Sequence, residues 1–162
     1  MAQEQLATYL NDHLAGSVVA LEMLEHLETV HSGDSLSSFF RDLRADVASD
    51  REELERLMKQ LNIDQSRTRK ASAWLTEKLT ELKLRFDDPK SGALLLLESL
   101  EALSLGIEGK RSLWITLASI SETRPSLRIA DYHHLQQRAQ EQRDRVEDLR
   151  IKTALTALTA DG

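Results

Sequence analysis

The sequence predicts an all-α fold: a four-helix bundle with an additional helix crossing between the second and third bundle helices. Breakers are scarce, with 6 Gly and 2 Pro in 162 residues. Aromatic residues make up 4 % of the chain and β-branched runs are few, which leaves little to build strands from. Leucines recur at steps of three and four over long stretches, the period of an amphipathic helix.

The first helix is expected over about 3–31, where Leu6, Leu10, Leu14, Leu21 and Leu24 fall along one stripe. Ser32-Gly33-Asp34-Ser35 ends it and offers a cap to the next helix. So short a loop makes that second helix an antiparallel neighbour. The second helix, about 36–61, carries the cleanest seam: Leu36, Phe40, Leu43, Val47, Asp50, Leu54, Leu57 and Leu61. One member is a carboxylate, and Asp50 is therefore the anomaly of the seam.

A polar break over 62–66 precedes the expected crossover helix, about 68–85, with Leu75, Leu79, Leu82 and Phe86 on one stripe and Trp74 beside it. At 1.5 Å per residue this piece spans roughly 27 Å, most of the length of a bundle. Asp87-Asp88-Pro89 is a helix-start signal, with Asp88 as N-cap and Pro89 at the first helical position. The third bundle helix, about 89–121, is apolar nearly all round, the pattern of a buried helix: Leu96, Leu100, Leu103, Ile107 and Trp114 share one face, and Leu94, Leu105 and Ile115 lie opposite. Gly106 and Gly109 inside it are read as permitting close helix contact. The last helix begins near Asp131, with Tyr132, Leu135, Ala139, Gln142, Val146 and Leu149 on its seam, and 159–162 reads as a frayed tail. The whole chain, 1–162, reads as a single domain. A long second-to-third connection makes helices two and three run parallel.

Composition excludes several classes of function. With 21 Lys+Arg against 27 Asp+Glu the net charge is −6, which argues against a nucleic-acid footprint. Absence of cysteine removes disulfides, thiolate metal sites and cysteine nucleophiles, and fits a cytoplasmic setting. The start has no basic n-region or apolar run, so no secretory signal is expected, and the longest apolar stretch is far below the ~20 residues of a membrane span. No Gly-x-Ser-x-Gly elbow or phosphate-cradling loop is present, and Arg67, Arg69 and Lys70 form a small basic patch read as solvated.

The segments Tyr9-Leu10-Asn11-Asp12-His13-Leu14-Ala15-Gly16-Ser17, Asp50-Arg51, Trp74-Leu75-Thr76-Glu77-Lys78 and Gly106-Ile107-Glu108-Gly109-Lys110 resemble an uncharacterised family of bacterial ferritin-like four-helix-bundle proteins. Arg138-Ala139-Gln140-Glu141-Gln142 extends the resemblance, which covers about 6–154. It implies a ferritin-like four-helix bundle with a crossover helix and carries no established activity.

Carboxylate-bridged di-iron or di-manganese centres need a Glu from each of two helices and Glu-x-x-His from each of the other two. Glu28-Thr29-Val30-His31 and Asp131-Tyr132-His133-His134 match or approximate that spacing. With the first and last helices parallel, His31 and His134 lie at opposite ends, roughly 40 Å apart, and cannot share a site. Matching helix midpoints instead puts His13 or Ser17, Asp50, Glu108 and Gln142 at one level. The metal set on that reading is Asp50, Glu53, Glu101, Glu108 and His13, holding iron or manganese. Glu53 stands where an iron-binding relative would need His. The competing structural reading is a buried polar network joining Asp50 to Gln142, Lys110, Arg138 and Arg145 and fixing helix register. Glu98, Glu101 and Glu108 fall within about 80° on the third helix and are read as facing either a metal or neighbouring Lys and Arg. Glu22, Glu25 and His26 read as a solvated face.

The expected function is non-catalytic, structural or protein-interacting, with a homodimer or another protein as partner and neither nucleic acid nor membrane. The alternative is a divalent-metal-binding relative with oxidase or metal-handling activity.

Overall fold

The seams fold into four helices: α1 (Ala2–Val30), α2 (Ser35–Gln60), α3 (Gly92–Ser121) and α4 (Tyr132–Thr159), with a 3₁₀ turn at Pro125–Leu127. The computed structural model describes residues 1–65, 77, 80–81, 84–85 and 92–159, and no strand occurs among them. The expected Asp88–Pro89 helix start, the apolar stripe of the crossover, Trp74 and the 67–70 basic patch lie outside the described residues. None of the helices is long and apolar enough to cross a membrane.

Local chemistry sets the helix ends. Asp34, in an extended conformation, accepts the Leu36 N–H at 2.7 Å and so caps α2, while Gly33 takes φ 97° to turn the chain back. Asn62 (φ 53°) closes the other end of α2: Ile63 N–H donates to the Met58 carbonyl at 2.9 Å and Asn62 N–H to Lys59 at 3.1 Å. That is the Schellman pairing, and its apolar contact is made by Ile63 and Met58 in one core cluster. Asp131 caps α4 through the His134 N–H at 3.0 Å, and Arg128 donates to the last α3 carbonyl, Ser121 (2.9 Å), and to that of Glu122 just beyond it (2.8 Å).

Two apolar clusters give the direction of each helix. One joins the start of α1 (Leu6, Leu10), the end of α2 (Leu57, Met58), the end of α3 (Leu113, Leu117) and the start of α4 (Leu135). The other joins the end of α1 (Leu24, Leu27), the start of α2 (Phe40, Leu43), the first half of α3 (Leu100, Leu103) and the middle of α4 (Ala139, Val146). Hence α1 and α4 run one way while α2 and α3 run the other. The strongest packing is within the hairpins α1–α2 and α3–α4, and α1–α3 and α2–α4 touch more lightly.

The seams are largely as the leucine spacing requires, with informative departures. On α1 the buried stripe leaves Leu21 and passes to Met23, Leu24 and Leu27, because a 3.6-residue turn drifts from a strict heptad. On α3 the outer face is not covered: Leu94, Leu105 and Ile115 are exposed, Leu105 at 76 %. The glycines of α3 also need correction. A Cβ added at Gly16, Gly106 or Gly109 meets nothing within 4 Å, so among the described residues none of them permits a close helix approach. They border open space.

Glycine in a helix interior costs about 1 kcal/mol relative to alanine. With no clash at Gly109 and no positive φ, Gly109→Ala should stabilise the protein by up to about 1 kcal/mol, read from urea unfolding. A loss of stability instead would show that a neighbour occupies that space.

Candidate functional site: a buried ion-pair layer beside an open cavity

Asp50 is forced inside by its own helix. It lies between Val47 and Leu54 on the buried seam of α2, and its side chain is 1 % exposed. An isolated buried carboxylate would cost several kcal/mol, so the fold must supply cations or donors. Three side chains do so. Lys110 of α3 donates to Asp50 Oδ2 at 2.6 Å, and Gln142 Nε2 of α4 donates to the same oxygen at 2.8 Å. Arg138, one turn earlier on α4, places Nη2 3.0 Å from Oδ1, an ion pair without hydrogen-bond alignment. Lys110 also donates to Gln142 Oε1, which completes the triangle. The layer lies between the two apolar clusters and links α2, α3 and α4.

Burial pushes the Lys110 ammonium below the ordinary lysine value; Asp50 opposes this, and Arg138 adds to it. One carboxylate faces two cations, so the layer carries an excess of one positive charge. Of the expected network, Asp50, Lys110, Arg138 and Gln142 come together. Arg145 does not: it lies about two turns beyond Arg138 along α4 and pairs with Asp46, one turn before Asp50 on the antiparallel α2 and half exposed.

The five residues of the metal set are not brought together. Glu53 pairs with Arg56 at 2.7 Å on the same helix. Glu101 faces Arg150 at 3.7 Å, and Glu108 takes Arg111 at 2.8 Å and Arg143 at 3.7 Å. Glu98 pairs with Arg85, so all three acids of that α3 stripe face arginines. His13 packs edge-on to Tyr9 at 4.7 Å, and burial lowers its pKa against the pull of Asp12. Among the described residues no three His, Asp or Glu side chains converge as metal ligands. A di-iron or di-manganese centre therefore does not fit this donor set: Asp50, the one buried carboxylate among the described residues, is already held by protein cations. His31 sits near Asp34 and Phe40, and His134 beside the Asp131 cap, at opposite ends of the bundle. Glu22 and Glu25 are exposed, while His26 is half-buried.

Beside the layer, between α1, α2 and α3, lies a cavity of about 890 Å³ with mainly apolar walls. Gly16, Gly106 and Gly109 border it, as do Lys110, Asp50 and the buried Trp114. Glu81 and Arg85 stand at its rim. Trp114 is 1 % exposed, and its Nε1–H has no acceptor among the described residues.

Three features escaped the sequence reading. Buried Asn11 donates to Ala7 O (2.9 Å) and to Asp64 O (3.1 Å), tying α1 to the chain leaving α2. Ser104 Oγ donates to Glu147 Oε1 at 2.7 Å, and Arg150 clasps the same carboxylate. The cavity itself is the third. Asn among leucines at position 11 was a readable signal; the other two depend on contacts between distant segments.

Comparison with protein-family models, with curated proteins and with solved structures gives no match.

Asp50→Ala strands Lys110 and Arg138 in the interior and should cost about 3–5 kcal/mol in chemical denaturation. Lys110→Met, which leaves an Asp50–Arg138 pair, should cost less. If the two losses are equal, the layer is not organised around Asp50.

Arg150, then Ser104, hold the Glu147 carboxyl at about 2, below its ordinary 4.5. A lowered carboxyl pKa stabilises the fold above the unfolded-state value and loses that contribution as pH falls through the folded one. The stability gap between wild type and Glu147→Gln should therefore be constant above pH 4.5 and close as pH falls toward 2, as measured by urea titrations at each pH.

Proposed function

We propose that this chain is a ferritin-like bundle, a single domain over 1–162, in which an ion-pair layer stands where relatives of that fold carry a carboxylate metal centre. It acts without catalysis, through association with protein, in a bacterial cytoplasm. The observation carrying this reading is that Lys110, Gln142 and Arg138 already claim the one interior carboxylate, Asp50.

The crossover helix, about 68–85, belongs to the same proposal. Because α2 and α3 run in the same direction, the chain between them has to return along the bundle. Glu77, Thr80, Glu81, Leu84 and Arg85 are helical and exposed, spaced as the outer face of an amphipathic helix.

Association is supported by exposed apolar residues at helical spacing. Ile151, Leu155 and Leu158 form one stripe on the last turns of α4, 52 %, 61 % and 66 % exposed. Bundles bury such stripes against a second copy or another chain, and the self-complementary arrangement is a two-fold dimer.

Light scattering should give the mass of a dimer for wild type and of a monomer for the Leu155→Glu, Leu158→Glu double variant, with helix content unchanged. A monomeric wild type at high concentration would remove self-association. Elemental analysis after anaerobic incubation with ferrous iron tests the metal-free half of the reading. About two iron or manganese atoms per chain, lost on changing Asp50, would overturn it.

A further inference from the structure

The mid-bundle cavity is independent of the association surface and combines three observations that point to an occupant. The first is space gained at a cost to the helices. Gly16 on α1 and Gly106 and Gly109 on α3 border the cavity, and a Cβ at any of them would meet nothing within 4 Å. Each glycine costs its helix about 1 kcal/mol relative to alanine. At these positions their missing side chains widen the cavity.

The second is unused hydrogen-bonding capacity at one level of the wall. An ammonium has three N–H donors. Lys110 directs one to Asp50 and one to Gln142, and the third has no acceptor among the described residues. Trp114, one turn further along α3, also borders the cavity, and its buried Nε1–H has no partner among the described residues. Two free donors a single turn apart on one helix can serve one bidentate acceptor.

The third is charge. Asp50 stands against both Lys110 and Arg138, and the neighbouring Asp46 is engaged by Arg145. A single negative charge brought to Lys110 would neutralise the layer. Elsewhere the walls are mainly apolar, through Met23, Val47, Leu103 and Ile107, with Asp12, His13, Arg51, Glu81 and Arg85 also on the lining, two acids against two arginines. The α3 residues bordering the cavity run from Ala102 to Trp114, about 18 Å of helix. One lipid tail spans about 15 Å, half the hydrocarbon core of a bilayer. The volume of about 890 Å³ lies in the range of small-molecule sites.

We propose that this cavity binds a free carboxylic acid with a long apolar tail, its carboxylate accepting from Lys110 Nζ and Trp114 Nε1 and its tail lying toward Met23 and Leu103. The charge and the donors select the head group; the glycines and aliphatic side chains admit the tail. Gly106 is a specificity position, because any larger side chain there would enter the volume the tail needs.

The test is calorimetric titration of the full chain with dodecanoate and with dodecanol, alongside ¹⁵N-indole NMR. One dodecanoate per chain should bind saturably and shift the Trp114 indole signal, identified by its loss in Trp114→Phe. Dodecanol, with the same tail and no charge, should bind at least tenfold more weakly. Lys110→Met should remove most of that preference while keeping the Asp50–Arg138 pair. Gly106→Leu should abolish binding with its thermal midpoint unchanged or raised, because leucine favours helix and the position is open. Three results would each overturn the proposal: no saturable dodecanoate binding, as expected if the chain's own residues or a second copy fill the cavity; equal affinity for dodecanol; or undiminished binding by folded Gly106→Leu.

Discussion

The burial of one carboxylate constrains the rest of this bundle. Asp50 occupies a seam position that leucine or valine fills elsewhere on α2, so the helix cannot pack without taking a negative charge out of water. An apolar residue there would leave the three helices free to slide by a turn at small cost. Asp50 removes that freedom, because Lys110 of α3 and Arg138 and Gln142 of α4 reach it only in one register. Such a layer contributes little net stability compared with a well-packed apolar one, yet breaking it is expensive. Its effect is on specificity: it selects one alignment from several that would bury similar leucine area.

The helix left out of this layer is α1. It is tied to α2 through the short turn at Gly33 and through Asn11, whose amide reaches the Asp64 carbonyl at the opposite end. Between those attachments nothing comparable to the Asp50 layer joins α1 to α3 among the described residues, and the glycines on both helices remove the side chains that would fill the gap. The cavity therefore lies on the α1 side of the layer: α2, α3 and α4 are joined at mid-height by charge, while α1 packs mainly against α2 and touches α3 only lightly.

Much of the architecture was legible in the leucine spacing, because burial of an amphipathic face is a local, periodic demand that the chain writes into itself. Phe40, Leu43, Val47, Leu54 and Leu57 are all buried, and Asp50 among them was readable as an anomaly for the same reason. Gln142 was recognisable as a polar residue on the α4 seam. Separating Arg138 from Arg145 was not possible from spacing alone. Both are near Gln142 in sequence and, seven residues apart, lie on nearly one face of α4, so only the axial alignment of α4 against the antiparallel α2 sets Arg138 beside Asp50 and Arg145 beside Asp46, one turn away. The glycines failed for a related reason. A glycine within a helix is compatible with either a close neighbour or none, and the sequence of one helix does not say where the next one stands. The arginines that meet Glu98, Glu101 and Glu108 were foreseeable as a class, since an acidic stripe on a packed helix needs cations opposite, but not as individuals.

In charge balance the layer differs from a dinuclear carboxylate centre. A dinuclear carboxylate centre balances two divalent cations with several acids and histidines contributed by all four helices. Here the cations are covalent parts of the chain, one ammonium and one guanidinium facing one acid, so the positive charge is fixed in place and exceeds the negative by one. Glu101 and Glu108, the acids that could have balanced that excess, are turned to the arginines of α4 at the margin of the bundle. The remaining positive charge sits at Lys110, at the edge of the cavity, and is held there by the geometry that places Asp50. A buried excess charge raises the cost of folding unless water or an anion reaches it. The open side of the layer is therefore where an anion entering the cavity would meet that charge.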